Sequence, residues 1–457
     1  MDAGVAAARA GTKAARRCAL VATALGFGVV QLDVTVVNVA MQPIGVALGG
    51  STTALQWIVN AYTLALASLI LSAGAWGDRI GAKRVFVGGF AMFTLASAAC
   101  GLAPSLGVLI AARAAQGIGA AVLIPCSLTL LTHSHPGAEL ARAVGIWAAC
   151  ASLALSAGPL VGGVLIEAVG WRAIFFINAP LGVLGIALTL RYAAETPRTP
   201  RRIDLPGQAL AIVALCALAA STITGGQDGF TAPLVLVGYG VAVVALVGFL
   251  RVEVHSREPM LPLPLFRSRT FATTSAIGLL VNVAFYGLIF VLSLYFQTVR
   301  GASVLATGMA FLPMTAAVFV GNLLAGRIVR ASGVRPALAG SAVLIAAALA
   351  GLLIVDRSTP FTALVAQLVL LGFGAGVVVP TMTTALLGSV EPTRSGVASG
   401  TLNTARQTGS VIGVALFGAL ANGRLVPGLR LSLLLSIALA LVVAALTVHP
   451  RTTSTGL

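Results

Sequence analysis

Long apolar stretches follow one another along almost the whole chain, separated by short polar or proline-containing connections. A helix of about 20 residues crosses a hydrocarbon core about 30 Å thick, so each stretch predicts one transmembrane helix. The stretches are continuous and do not alternate between apolar and polar positions, which excludes the strands of a membrane barrel. We predict fourteen spans, at approximately 18–41, 54–75, 84–103, 107–131, 141–166, 173–191, 207–225, 233–251, 271–297, 304–329, 336–355, 360–388, 399–421 and 429–448.

The positions of Lys and Arg predict how these spans are oriented. Fourteen spans place both termini on one side, and most of the 28 Lys and Arg residues lie in the tails and connections of that side. Cytoplasmic connections are enriched in Lys and Arg, so both termini are predicted to be cytoplasmic, in a cell (inner) membrane. The net charge of +16 thus reflects membrane topology, and no nucleic-acid partner is expected. The opposite side carries Arg172, Arg300, Arg357, Arg424 and Arg430.

An internal repeat predicts two related halves. The segments Gly74–Gly81 and Gly326–Gly333 follow the second and tenth spans, and both begin and end with glycine and carry arginine between. Such weak symmetry is common in transporters. The longest polar connections contain several prolines, which leaves no room for a large soluble domain. The predicted organisation is a cytoplasmic N-tail at 1–17, a six-helix bundle at 18–191, a linker with two extra spans at 192–270, a six-helix bundle at 271–448 and a cytoplasmic C-tail at 449–457.

Asp33 is the acidic residue that we predict to lie deepest in the membrane. It occurs in the apolar first span, within Leu32–Ala40, and the other predicted spans hold no Asp or Glu at comparable depth. An ionised carboxylate at the centre of a bilayer costs about 2.5–3.5 kcal/mol on insertion scales, so such a group usually faces a cavity and has a function. Desolvation favours the neutral carboxyl, which makes Asp33 a candidate proton carrier.

Arg113 is predicted to lie inside the fourth span, where it shares a helix face with Gln116 and Gly117 at i, i+3 and i+4. A buried arginine must find a carboxylate or backbone carbonyls in the membrane. Arg113 is therefore a candidate for proton coupling, and a purely structural buried arginine is the alternative.

The connection after the second span resembles the signature loop of the major facilitator superfamily. Its glycines allow a tight turn between closely packed helices, and in the family this loop latches the two halves in one conformation. Trp76 and Ala82 stand where the family usually has an aliphatic and a basic residue, so the details of the latch stay open. The residues to which the resemblance assigns this role are Gly74, Asp78, Arg79 and Gly81.

Two other spans carry motifs that resemble those of the same family. The segment Arg113–Gly119 is similar to the fourth-helix arginine motif, which is tied to proton coupling. The fifth span resembles the antiporter motif, which is found in exporters of the family rather than in importers. Its proline removes a backbone hydrogen bond and its glycines let another helix approach closely. These residues are Gly158, Pro159, Gly162 and Gly163.

Further segments extend the resemblance over nearly the whole chain, including Trp171–Pro180 and Asn403–Gln407. Together they resemble the fourteen-span drug:proton antiporter branch, and within it the methylenomycin-resistance-type multidrug exporters. The resemblance implies an all-α major facilitator fold of two six-helix bundles plus two extra central helices. It also implies proton-coupled efflux of small amphiphilic drugs or antibiotics by alternating access, by a protein that works as a monomer and is not an enzyme.

Polar and aromatic residues at helical spacing are predicted to line a central substrate cavity. The alternative for these side chains is hydrogen bonding between helices, which is a common use of small polar groups in membranes. The scarcity of membrane carboxylates indicates a neutral, weakly charged or monocationic substrate. The predicted cavity residues are Asn38, Trp57, Tyr62, Gln116, Asn282, Tyr286, Asn403 and Arg406.

Other functions are disfavoured or left open by the residues present. The two lysines, Lys13 and Lys83, complete no phosphate-binding loop, which argues against an ATP-driven pump. His133 and His135 have no accompanying cysteine or carboxylate cluster, so neither a metal site nor a cofactor is expected. The sequence shows no nucleophile–base pair of the kind that a membrane enzyme would need, so that function is disfavoured. A proton-coupled transporter of a nutrient or endogenous metabolite on the same fold stays open as the alternative.

Overall fold

The protein is almost entirely helical. The computed structural model describes residues 13–135, 138–198, 204–256, 259–261, 263–354, 359–391 and 395–448. Helices prevail because a backbone that crosses lipid must satisfy its own hydrogen bonds. The α-helices of these residues are α1 Lys13–Leu48, α2 Thr52–Ile80, α3 Ala82–Leu102, α4 Leu106–Ser134, α5 Ala138–Val169, α6 Ala173–Phe176, α7 Asn178–Tyr192, α8 Leu205–Asp228, α9 Pro233–His255, α10 Arg269–Leu294, α11 Val304–Ser332, α12 Val334–Gly351, α13 Phe361–Leu387, α14 Ser395–Ala421 and α15 Leu425–Val448.

Within the described residues, 13 helical segments are long and apolar enough to cross a membrane. One of them combines α6 and α7, which the sequence predicted as a single span. The remaining predicted span, 399–421, corresponds to α14, which has a spanning length but a more polar composition. It packs against α2, α8 and α10, so protein covers much of this surface. The predicted all-α, polytopic fold is confirmed, and most of the predicted tails, 1–12 and 449–457, lie outside the described residues.

The helices before and after α8 and α9 form two groups that meet along several helix pairs. Within the first group α1 packs on α5, and within the second group α10 packs on α14. Between the groups, the main pairs are α5 with α11, α2 with α14 and α1 with α10, and α1 also contacts α11. The extra helix α8 lies against α2 and α14, whereas α9 packs mainly on α8 and exposes a long apolar surface.

The two groups touch closely at the end of the bundle opposite the termini. Ser293 Oγ donates to Asn38 O at 2.7 Å, and Gln56 Nε2 donates to Ala415 O at 2.9 Å. A Cβ atom on Gly308 would overlap the carbonyl oxygen of Pro159. These contacts join α1 to α10, α2 to α14 and α5 to α11, so the bundle is closed at this end.

The glycine repeat proves to mark helix ends, with one correction to the prediction. The segment from Gly74 to Ile80 was expected to be a turn, but it continues α2 as helix. The turn is made at Gly81, whose φ of 108° is one that only glycine adopts easily. Gly333 ends α11 in the same way with φ 86°.

Candidate functional site

Asp33 lies in a buried polar cluster at the centre of the first group of helices. Its Oδ2 accepts a hydrogen bond from Arg113 Nη1 of α4, which forms a salt bridge. Its Oδ1 accepts from Gln116 Nε2 at 2.9 Å and from Asn178 Nδ2 at 3.3 Å. Both charged side chains are buried, Asp33 with 0% and Arg113 with 1% exposure. The predicted carboxylate partner of Arg113 is therefore Asp33.

Arg113 is held from three other directions. Its Nη1 also donates to Gln116 Oε1 at 2.7 Å, and its Nε donates to Ile58 O at 3.2 Å. The Tyr62 ring lies below the guanidinium, with 4.2 Å between Cζ and the ring centroid, which is a cation–π contact. The side chain thus satisfies its buried donors with a carboxylate, an amide and a carbonyl, as a desolvated cation requires.

Two members of this cluster were not among the predicted site residues. Asn178 begins α7, directly after the break between α6 and α7, and donates to Ser97 Oγ at 2.9 Å as well as to Asp33. Ser97 Oγ accepts from Gln116 at 3.2 Å and donates to Phe175 O at 2.9 Å. The signal in the sequence was a lone amide in the apolar run before Pro180, but neither spacing nor polarity showed which helix it would face.

The cluster lies nearer to the closed end of the bundle than to the end that carries the termini. Ser97 is five residues before the end of α3, which corresponds to about 8 Å of helix. Arg113 is seven residues after the start of α4, or about 10 Å. Both of these helix ends lie at the face opposite the termini.

A cavity of about 760 Å³ lies between the two groups of helices. It reaches the end of the bundle that carries the termini, because Asp78 at the end of α2 and Asp204 at the start of α8 lie in its wall. Its walls are largely apolar and include Phe27, Trp147 and Phe285. The size and the apolar lining suit a small amphiphilic molecule.

The predicted cavity residues of the second half line this cavity. Asn282 and Tyr286 project from α10, and Asn403 and Arg406 from α14. The alternative for these side chains was hydrogen bonding between helices. The bonds shown lie within one helix, since Asn282 Nδ2 donates to Gly278 O at 2.7 Å and Arg406 Nη1 donates to Asn403 Oδ1 at 3.5 Å.

The predicted cavity residues of the first half do not line this cavity in the conformation described. Tyr62 and Gln116 are buried in the Asp33–Arg113 cluster. Asn38 is buried near the closed end, and its Nδ2 donates to Val34 O at 2.9 Å. Trp57 packs against the apolar cluster that joins α2 to α8 and α14. A helical face can be read from spacing, but which neighbour covers it depends on the packing of the whole bundle.

Asp33 itself does not line the cavity, contrary to the expectation that it faces one. Gln31, two residues earlier on α1, does line it. Residues two apart lie on nearly opposite sides of a helix, so Asp33 points into the first group of helices instead. The sequence indicated that the Asp33 carboxylate needs a polar environment. In the structure Arg113 provides it.

The residues of the signature loop divide between the cavity and the helix end. Gly74 and Asp78 line the cavity, and a Cβ atom on Gly74 would meet nothing within 4 Å. Arg79 is exposed. Gly81 lies against Glu195, whose Oε1 accepts from Lys83 N at 3.1 Å.

The motif of the fifth span lies where α5 meets two other helices. A Cβ atom on Gly158 would overlap Thr35 of α1, and one on Gly163 would come 2.9 Å from Leu305 Cα of α11. Gly162 packs on the valine side chains of α1, and the carbonyl of Pro159 lies against Gly308. These small residues thus allow α5 to contact both α1 and α11, and the α11 contact helps close the bundle.

Gly308→Leu is expected to open the closed end of the bundle. Its side chain would overlap the Pro159 carbonyl, so the contact between α5 and α11 could not form. Spin labels at Ala168 and Met309, in a cysteine-free background, should report a longer mean distance in this variant than in the parent. Gly340→Leu on α12, where a Cβ atom meets nothing within 4 Å, is the matched control and should leave the distance unchanged. An unchanged distance in Gly308→Leu would contradict this description of the closed end.

The described residues contain no group of three or more His, Cys, Asp or Glu side chains that could hold a metal ion. His133 and His135 lie at the end of α4, and His135 Nδ1 is within 2.9 Å of Ser134 Oγ. The polar chemistry of the described residues therefore centres on the ion pair and the cavity.

Comparison with known proteins identifies the family. The sequence model described as Major Facilitator Superfamily matches residues 23–414. The chain belongs to the major facilitator superfamily. It is a multi-pass membrane transporter and not an enzyme. Proteins of this family move small molecules across membranes, which agrees with a bundle that has a cavity between two groups of helices.

The relatives in this family are resistance and export proteins. The chain is 40% identical to the methylenomycin A resistance protein of Streptomyces coelicolor, over 88% of this chain and 85% of that protein. It is 40% identical to the multidrug resistance protein Stp of Mycobacterium tuberculosis, over 88% of this chain and 75% of that protein. It is 33% identical to the tetracenomycin C resistance and export protein of Streptomyces glaucescens, over 89% of this chain and 76% of that protein.

Solved structures show the same fold. A bacterial homolog of the human lysosomal transporter Spinster, in an inward-facing and occupied conformation, superposes with a TM-score of 0.68 at 18% identity. The match covers 96% of this chain and 97% of that chain. A POT family transporter in complex with a thioalcohol-conjugated peptide gives a TM-score of 0.69 at 15% identity, over 94% of each chain.

Proposed function

We propose that this protein is a drug:proton antiporter that exports small amphiphilic drugs or antibiotics from the cell. The observation that carries the proposal is the buried Asp33–Arg113 pair, placed at one end of the bundle while the cavity reaches the other end. A charged pair in the membrane is costly and marks a proton or ion pathway in many transporters. The resistance and export proteins to which the chain is similar support the outward direction of transport.

The described conformation then corresponds to the inward-open state of an alternating-access cycle. We place both termini in the cytoplasm of a cell with an energised membrane, because Lys and Arg prevail on the side of the termini. The cavity accordingly receives substrate from the cytoplasm or the inner leaflet. The two groups of helices, each a six-helix unit, rock about this midplane site, and α8 and α9 are additions to them. A single chain carries the whole site, so the monomer is the working unit.

Proton transfer at Asp33 gives the cycle its direction. Protonation of the carboxyl removes the counter-ion of Arg113, and a buried ion pair that loses one partner is destabilised by about 3–5 kcal/mol. The helices that hold the pair then rearrange, and release of the proton restores the arrangement described here. A membrane potential of about 100 mV contributes about 2.3 kcal/mol per charge moved, which is the same order as the cost of breaking the pair.

A transport assay tests the proposed function and its direction. Inverted membrane vesicles that contain the protein should accumulate labelled substrate on energisation, and the accumulation should collapse when a protonophore is added. A susceptibility panel in an efflux-deficient host selects the substrate. An importer of a nutrient or endogenous metabolite would instead accumulate its substrate in right-side-out vesicles, and that result would contradict export.

Gly74→Leu is expected to lower transport at least about tenfold while the protein still folds and binds substrate in the inward-open state. A Cβ atom at this position meets nothing within 4 Å in the open cavity, so the side chain fits here but obstructs closure of the cytoplasmic end. Gly88→Leu is the matched control, since a Cβ atom on this exposed residue of α3 also meets nothing. Wild-type transport by Gly74→Leu would show that this part of the loop does not close on the cavity.

A further inference from the structure

Arg406 is a cation in the cavity wall that pairs with no carboxylate among the described residues. The salt bridges among the described residues join Arg16 to Glu139, Arg84 to Glu195 and Arg113 to Asp33, and none involves Arg406. The hydrogen bond that its side chain makes there is a long one of 3.5 Å, from Nη1 to Asn403 Oδ1. Its Nε is buried and has no hydrogen-bond partner. A cation in the membrane requires an anion or several acceptors, so this site is incomplete as it stands.

The position of Arg406 directs its charge toward the cavity. The aliphatic stem packs against Gly278 of α10, where a Cβ atom would come within 3.2 Å of Arg406 Cγ. Asn282 and Tyr286 follow at successive turns of the same face of α10 and line the cavity beside it. The guanidinium thus contacts the Asn403 amide, and the Asn282 amide and the Tyr286 phenol line the same cavity, which are groups that orient a small polar ligand.

Two acidic residues also lie in the cavity wall, but at its mouth. Asp78 is two residues from the end of α2, and Asp204 caps the start of α8, where its Oδ1 accepts from Gly207 N at 2.9 Å. Arg406 lies eleven residues after the start of α14, which corresponds to about 17 Å of helix from that end of the bundle. The deep part of the cavity is therefore cationic, and the acidic groups lie near its opening.

We infer that the transported substrate is an amphiphile with one anionic group, of the carboxylate kind, which binds Arg406 while its apolar part lies against Phe285 and the opposite aromatic wall. The inference rests on the proposed function and names the substrate class for the same cavity. It differs from the neutral, weakly charged or monocationic substrate that the scarcity of membrane carboxylates indicated. Asp33, which could otherwise attract a cationic substrate, is paired with Arg113 and does not line the cavity.

Binding measurements on purified protein test this inference. The probes are aromatic amphiphiles, each prepared as the monocarboxylate, the carboxamide and the primary amine, for example 1-naphthaleneacetate with its amide and amine analogues. Isothermal titration calorimetry should give dissociation constants at least about tenfold lower for the carboxylates than for the carboxamides, as expected for a charge-assisted hydrogen bond. Arg406→Gln should abolish this preference without weakening carboxamide binding, and Arg406→Lys should retain part of it.

Several results would overturn the inference. These are a preference for amines or carboxamides, an unchanged carboxylate preference in Arg406→Gln, or no binding of any carboxylate. Binding of phosphatidylglycerol alone would assign Arg406 to a lipid headgroup and would also overturn it. The proposed function is tested by a different result. Carboxylate binding without proton-driven transport in vesicles would contradict antiport but would agree with the anion site. Proton-driven export of amines alone would contradict the anion site but would agree with antiport.

Discussion

Replacing Asp33 with Asn is expected to abolish proton-driven efflux while the protein stays folded and still exchanges substrate for substrate. The amide oxygen of Asn can accept the hydrogen bonds that Gln116 and Asn178 donate to Oδ1. Arg113 loses its counter-ion, so the variant should unfold at a lower temperature than the wild type even though part of the cluster is kept. The amide cannot bind and release a proton, so the link between the proton gradient and transport is lost. Uptake into energised inverted vesicles should fall to the level of vesicles without the protein.

Two controls make this result specific to the buried carboxylate. Glu167→Gln removes an exposed carboxylate near the end of α5 and should leave uptake unchanged. Substrate counterflow without a proton gradient should persist in Asp33→Asn, because in antiport the substrate-loaded form changes conformation without a bound proton. Uptake at the wild-type rate in Asp33→Asn would remove Asp33 from the mechanism, whereas loss of counterflow as well would indicate a structural defect.

Removing Arg113 from the ion pair is expected to lower the stability of the folded protein strongly. Arg113→Leu leaves Asp33 as a buried charge without its cation, and such a loss costs about 3–5 kcal/mol. The double variant Asp33→Asn with Arg113→Leu has no buried charge and should recover most of this stability. Thermal unfolding of the purified proteins in detergent should therefore show a low midpoint for Arg113→Leu and a midpoint near the wild type for the double variant.

The double variant also separates stability from coupling. It should fold about as well as the wild type and yet fail to transport against a gradient, since it lacks the Asp33 carboxyl that the proposed mechanism requires. A loss of stability in the double variant equal to the sum of the losses in Asp33→Asn and Arg113→Leu would mean that the two side chains do not interact, against the salt bridge in the structure. Proton-driven transport by the double variant would show that the pair is dispensable.

Much of the fold was predictable because lipid imposes strong rules on sequence. Each span needs a long apolar run, and charged connections reveal their side, so the helices could be located from the chain alone. The boundary at Gly74–Gly81 was placed too early, because apolar content decreases before the helix ends. The sequence does not distinguish a glycine that allows a turn from one that lines a cavity. Gly81 makes the turn, whereas Gly74 lines the cavity.

The candidate site was only partly predictable. Asp33 and Arg113 were recognised because charges are rare in lipid, but the sequence left either a carboxylate or backbone carbonyls open as the partner of the buried arginine. The cavity was not predictable in detail, because Tyr62 and Gln116 have the same polar character whether they line a cavity or surround an ion pair. Asn178 was missed because its role depends on the break between α6 and α7, which apolar content does not show.

Proton movement in proteoliposomes tests the central claim most directly. Protein is reconstituted with a pH-sensitive dye inside, no initial pH gradient is imposed, and a gradient of an exported substrate is applied across the membrane. The account predicts that substrate flux drives protons in the opposite direction through the wild type and that Asp33→Asn carries substrate without moving protons. Proton flux coupled to substrate in Asp33→Asn, or its absence in an actively transporting wild type, would contradict the account.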